Sequence, residues 1–321
     1  MEYIIGIFIF CLILFIYLHV TFQLRTSDDL EVYELDNVSK NKLEEVCDIR
    51  QPVVFDYYND AVISSINSKN LEATYPSFEV KIRNMDDFGD GSYLPLHLNA
   101  ALKLVNENKN KYYSESNTDF LYETGAVKHM KYNDEYIRPY MVSNCNYDIM
   151  FGTNETSTPF RYELNYRNYF YVTQGEIIVK LAPPKSSKYL AEYNDYENFE
   201  FRSSINPWNV AQQHKADFDK IKCLEVKITA GKILFIPAYW WYSIKFGKNA
   251  LIATFKYRTY MNNIAISPKM IMYFLQNHNI KRDNIKKANV FSVQTEESLS
   301  EENNENNEKN EKIVNKKDNT L

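Results

Sequence analysis

The side chains able to do chemistry are few and scattered. His214 stands ahead of Asp217 and Asp219 in QQHKADFD, which supplies metal-ligand types but in a polar stretch with no geometry of its own, so it reads as a loop. His97 in LPLHLN and His129 in VKHMKY have no partner ligands at helical spacing and read as structural. The four cysteines, Cys11, Cys47, Cys145 and Cys223, lie far apart, which excludes a zinc ribbon. Cys11 belongs to an apolar run, and the remaining three form an odd set that suits reduced thiols and a reducing compartment. No G-x-S-x-G, P-loop or G-x-G-x-x-G occurs, so the common nucleophilic and nucleotide-binding signatures are absent.

Composition narrows the classes further. The 321 residues are 45% hydrophobic and 15% aromatic, enough for a substantial core, and the 8 glycines exclude collagen-like or glycine-linker chains. The 35 Asn, with abundant Tyr, Ile, Lys and Phe, indicate an AT-rich genome, such as that of a large DNA virus or a protist. The net charge of -5 builds no basic field, so nucleic acid is not an expected partner. The clustered tyrosines between Tyr166 and Tyr196 read as packing rather than a base-stacking platform.

The elements that would position a site begin with an uncharged run from Tyr3 to Phe22, long enough at about 1.5 Å per residue to cross a hydrocarbon core of about 30 Å. With no basic n-region and no small-residue exit, it reads as an uncleaved single-pass anchor, with Tyr3, Ile9, Leu14 and Phe22 meeting lipid. Arg25, Lys40 and Lys42 place the large domain on the cytosolic side of a cell membrane, or in a virion envelope if the source is viral. Residues 1–25 are then the anchor and 26–48 a linker with a lead-in helix from Lys40. The folded domain is expected over 49–292, and a disordered acidic tail over 293–321.

Within the domain, Pro52 to Phe55 reads as a strand, Asn59 to Leu71 and Leu98 to Asn106 as helices, and Phe78 to Ile82 as a strand. Residues 107 to 158 read as loop-rich and polar. Tyr169 to Leu181 reads as a strand stopped by Pro183-Pro184, and a long excursion follows to about Lys222. Strands over Leu224 to Ile228, Ile233 to Pro237, Trp241 to Phe246 and Leu251 to Tyr257 follow with short turns, a barrel or jelly-roll pattern. Ser267-Pro268 marks the start of a last helix.

Three stretches, Gln51-Pro52-Val53-Val54, STPFRYELNYRNYFYVTQGEIIVKLAPPK from Ser157 and LEVKITAGKILFIPAYWWYSIKF from Leu224, together resemble the JmjC-like or cupin-like branch of the Fe(II)/2-oxoglutarate oxygenase fold. The resemblance covers about residues 40 to 280. It implies an α+β chain: a cupin-like double-stranded β-helix (jelly roll) with flanking helices, preceded here by the N-terminal transmembrane helix. In an active member the middle stretch carries His-x-Asp and the residue after the Trp pair is His, a facial triad for iron. The corresponding residues here are Arg161, Glu163 and Tyr242. Guanidinium has no lone pair to offer, and a phenol ligates well only when ionised. The expected arrangement is therefore an Arg161–Glu163 pair with the Tyr242 hydroxyl as third member. A candidate pocket comprises Arg161, Glu163, Asn165, Asn168, Lys180, Trp240, Trp241 and Tyr242, and a small anionic ligand at Arg161 is the alternative use. No cofactor is expected; Fe(II) and 2-oxoglutarate enter only if the domain is an oxygenase with atypical ligands. The favoured function is a non-catalytic binding or scaffold module on a membrane, with a protein partner or an anionic ligand. A structural viral membrane component is a further alternative.

Overall fold

The computed structural model describes residues 2–85, 93–107 and 111–278. Its helices are α1 (Glu2–Leu24), α2 (Lys40–Cys47), α3 (Asp60–Ser65), α4 (Ser68–Thr74), α5 (Leu98–Asn106), α6 (Thr118–Glu123), α7 (Val127–Lys131), α8 (Lys215–Phe218) and α9 (Tyr260–Ala265). Its strands are β1 (Tyr33–Leu35), β2 (Val53–Asp56), β3 (Glu79–Asn84), β4 (Leu94–His97), β5 (Tyr112–Ser114), β6 (Val142–Gly152), β7 (Arg161–Tyr162) and β8 (Arg167–Gln174). They continue with β9 (Glu176–Ala182), β10 (Glu192–Asp195), β11 (Glu200–Ser203), β12 (Leu224–Thr229), β13 (Lys232–Ile236), β14 (Trp241–Phe246) and β15 (Leu251–Thr259).

The strands form two sheets. The larger runs β1-β2-β13-β8-β15-β6-β5-β3-β4 and the smaller β10-β11-β7-β14-β9-β12. All pairings are antiparallel except β1 with β2. Strand periodicity of two sorts the side chains into layers. In β8, Tyr169 and Tyr171 enter a core under α2 to α7, while Phe170 and Val172 enter a second core between the sheets. In β14, Tyr242, Ile244 and Phe246 face that inter-sheet core. Trp241 points the other way, onto the excursion that carries Leu190, Phe201 and Ile205.

The expected strand over Tyr169 to Leu181 is two strands in different sheets. The chain changes sheet at Gly175, whose φ of 71° and backbone neighbours at 2.9 Å from any added Cβ (Ala250 Cα and Lys248 O) leave room for no other residue. The expected helix from Asn59 to Leu71 is also divided. Asn67 accepts from the Asn70 backbone N–H and opens α4 as a new helix, as Asn59 does for α3 through Val62. The described part of the stretch expected to be loop-rich, residues 111 to 158, is largely regular structure. It contains β5, α6, α7 and the eleven-residue β6, which lies inside the larger sheet. Along β6, Cys145, Tyr147, Ile149 and Phe151 face the helix-side core, whereas Asn144, Asn146, Asp148 and Met150 face a cavity.

α1 is the one described helix long and apolar enough to cross a membrane, with no Asp, Glu, Lys or Arg after Glu2. It is covered only near its C-terminal end, where Val20 is half-buried and Gln23 buried, and it packs against α9. Arg50 donates to the Phe22 carbonyl there and lies over the Phe22 ring. One compact unit extends to Pro268. Residues 267–278 are helical, starting at Ser267 as expected, and the Ser267 hydroxyl donates to the Ile264 carbonyl of α9. The acidic tail expected from 293 lies outside the described residues.

Candidate functional site

Arg161 and Tyr242 are direct cross-strand partners on β7 and β14. A spacing of two carries Glu163 to the same side, so the three side chains meet at one mouth of the two-sheet body. Arg161 Nε donates to the Tyr242 hydroxyl oxygen at 3.2 Å, and the Tyr242 hydroxyl donates to Glu163 Oε1 at 3.0 Å. The expected direct Arg161–Glu163 pair does not form. Arg161 turns its two terminal nitrogens to Glu115 in a bidentate pair, with Nη1 at 3.0 Å from Oε1. Glu163 instead receives Lys256 Nζ at 2.7 Å. The fork of a guanidinium fits both oxygens of one carboxylate, and the residue beyond β5 offers them where Glu163 does not.

Glu115 also accepts from Arg83 Nη1 at 3.2 Å, and Arg83 reaches both oxygens of Glu200 at 3.2 Å. Charges thus alternate from Glu200 through Arg83, Glu115 and Arg161, then across the Tyr242 hydroxyl to Glu163 and Lys256. The members come from both sheets: Arg83 and Lys256 from the larger, Arg161, Tyr242 and Glu200 from the smaller. Arg161 is 7% exposed and Glu115 2%, so the pair is desolvated. Burial alone would raise the Glu115 carboxyl, but the Arg161 charge and its hydrogen bonds prevail and hold it at about 2. Burial drives the Tyr242 phenol well above its ordinary value, against the opposing pull of Arg161.

Beside this chain of charges lies a cavity of about 300 Å³. Arg161, Glu163 and Asn165 line it, together with Glu115, Asp148, Glu200, Lys256 and Arg258. Asp148 accepts backbone N–H bonds from Ser116 at 2.8 Å and Asn117 at 2.6 Å. Those bonds and Lys256 favour its ionised form, yet burial outweighs them and pushes the carboxyl up to about 6. Arg258 donates from Nε to Asn165 Oδ1 at 2.6 Å and lies over the Phe199 ring.

The other sequence candidates stand away from the cavity. Asn168 is buried and bridges the Asn165 and Ile236 carbonyls. Lys180 donates to the Pro207 carbonyl and sits over Trp208. Trp240 packs in the inter-sheet core with Nε1 on the Arg50 carbonyl, and Trp241 packs on the excursion with Nε1 on Ser187 Oγ. Sequence reasoning missed Glu115, Asp148, Arg83, Lys256 and Arg258. Lys256 and Arg258 carried a signal, since alternation along the last strand puts both on the face opposite Phe255 and Tyr257. Glu115 carried none.

Fe(II) is the group that the resemblance implies, and the donor set does not fit it. At the three positions, Arg161 has no lone pair, Tyr242 is held as a neutral phenol, and the Glu163 carboxylate is engaged by Lys256 and Tyr242. Among the described residues no group of three or more His, Cys, Asp or Glu side chains converges to hold a metal.

A search of curated proteins finds no match. A family model described as a cupin-like domain does match, over residues 28–266, from the linker through β15 to the end of α9. That span contains both sheets, the register of Arg161 with Tyr242 and the cavity at their mouth, and the chain belongs to the cupin-like domain family.

Proposed function

We propose that this protein is a single-pass, membrane-anchored cupin-like domain of jelly-roll type that binds or scaffolds rather than catalyses. The observation that carries this reading is the chain of ion pairs at the triad positions, in which every polar group of Arg161, Tyr242 and Glu163 has a protein partner. A guanidinium in this place repels a cation and cannot ligate one. The cavity then serves as a binding pocket. Arg161 is committed to Glu115 and Lys256 to Glu163. Of the three cations lining the cavity, Arg258 alone makes no ion pair among the described residues, so its charge is the one left to an anionic group there.

The test is metal analysis of the purified full-length protein together with 2-oxoglutarate-dependent succinate release. The expected outcome is no stoichiometric iron and no succinate. About one iron per chain with turnover would establish an oxygenase with atypical ligands instead.

α1 supports the anchor by its length, its lack of charge after Glu2 and its exposure along nearly its whole length. The large domain is assigned to the cytosolic side from Arg25, Lys40 and Lys42. The protein is expected to stay in the membrane pellet after alkaline carbonate extraction. Release into the supernatant overturns the anchor.

A further inference from the structure

Four carboxylates and three cations line the cavity beside Arg161. Glu115 pairs with Arg161, Glu163 with Lys256, and Glu200 with Arg83 from outside the lining. That leaves one charge of each sign, Asp148 and Arg258, neither of which makes an ion pair among the described residues. Both retain bonding capacity toward the cavity. Asp148 Oδ1 accepts the Asn117 and Ile149 N–H groups at 2.6 and 2.8 Å, but Oδ2 accepts only that of Ser116, at 2.8 Å, and keeps a lone pair. Arg258 spends Nε on Asn165 and keeps its two terminal nitrogens, the fork that fits a carboxylate. An unpaired charge in a poorly solvated site is costly, so each invites a ligand charge of the opposite sign.

The register of β6 with β15 sets the separation of the two. Asp148 lies opposite Thr254 and Arg258 opposite Asn144, an offset of four residues along the pair, or about 13 Å between backbones. The ammonium and carboxylate of an α-amino acid share one carbon and cannot reach both. A longer molecule can. Met150, Phe199 and Phe201 line the same cavity and offer apolar surface to a methylene chain between its ends. The volume of about 300 Å³ is that of a small-molecule pocket.

We infer that the cavity binds a small ω-amino acid, with its carboxylate on Arg258, its ammonium on Asp148 and its chain against Met150 and Phe199. This rests on the reading of the cavity as a binding pocket. An anion alone brings its charge toward the unpaired Asp148 carboxylate, and a cation alone leaves Arg258 unpaired. A molecule with a charge at each end satisfies both groups and adds no net charge to a largely buried site.

The test is titration calorimetry on the full-length chain in a nonionic detergent, with glycine, 6-aminohexanoate, hexanoate and hexylamine as probes. A pH of 8 keeps Asp148 ionised, above its carboxyl value of about 6. The expected result is binding of 6-aminohexanoate at least about tenfold tighter than of hexanoate or hexylamine, the scale of one hydrogen bond to a charged group, and no binding of glycine. Asp148→Asn is expected to bring 6-aminohexanoate down to the level of hexanoate, and Arg258→Gln to that of hexylamine. Hexanoate binding as tightly as 6-aminohexanoate overturns the inference and leaves an anion pocket at Arg258 standing. Glycine binding as tightly as 6-aminohexanoate overturns it too, because the spacing then decides nothing. An undiminished preference in Asp148→Asn removes that residue from the site and overturns the inference. If none of the four probes binds, the binding-pocket reading falls and the inference with it. The probe series is read on the unmodified protein, so the outcome stands even where a variant fails to fold.

Discussion

Arg161→Ala will destabilise the folded domain by about 3–5 kcal/mol, the range for removing one partner of a buried ion pair. The loss exceeds that of one contact because Glu115, 2% exposed, retains Arg83 but loses the bidentate donor that most strongly holds its charge. Two further groups are disturbed: the Tyr242 oxygen loses the Arg161 Nε donor, and the alternation of charge between Glu115 and Glu163 is broken. Chemical denaturation of the two proteins at neutral pH measures the difference. Arg161→Ala combined with Glu115→Gln is expected to recover part of the loss, since the stranded charge is gone. A change under about 1 kcal/mol for Arg161→Ala alone, the scale of an exposed pair, overturns the buried network.

The folded protein will be most stable in acidic solution, at about pH 4, because two buried carboxyls titrate in opposite senses. Asp148 has an ordinary value of 3.8 and is pushed up to about 6 by burial. The folded state therefore takes up this proton before the unfolded chain does, and stability rises as pH falls from above 6 toward 4. Glu115 runs the other way, from 4.5 down to about 2. Its contribution is fully present above 4.5 and is lost as pH drops toward 2. A rise of that size at Asp148 corresponds to roughly 2–3 kcal/mol of stability. Asp148→Asn should flatten the limb between pH 6 and 4 while leaving the acid limb from Glu115 in place, whatever its effect on absolute stability. Denaturation midpoints over pH 3 to 8 test this. An unchanged slope in the variant assigns the limb to another group.

The sheets were legible where alternation separates two apolar faces, or an apolar face from a charged one. β13, β14 and β15 are examples, with Leu234 and Ile236 facing one core and Ile233 and Phe235 the other. β6 has the same period of two. Three of the four residues on its cavity face, Asn144, Asn146 and Asp148, are types that favour turns, so the strand reads as loop until the cavity they line is known. The convergence of Arg161, Glu163 and Tyr242 was legible through strand spacing and the resemblance together. Their partners were not. Glu115 sits just after a three-residue strand, 46 positions before Arg161, and no local pattern announces a contact of that range. The expected Arg161–Glu163 pair failed for a related reason: neighbours on one strand face project in parallel, whereas a bidentate fork needs a carboxylate approaching head-on.

The bidentate grip of Glu115 on Arg161 also bears on how the protein can change. Installing a histidine at 161 removes the main donor of Glu115, and a histidine at 242 removes the hydroxyl between Arg161 and Glu163. Each step toward a metal centre is a loss when taken alone. The fitness landscape around this mouth is a basin walled by paired charges, and the way out requires positions 115, 161 and 242 to move together. Design of a metal-binding variant must therefore include Glu115, which lies outside the three triad positions, and neutralise it in the same step that replaces Arg161.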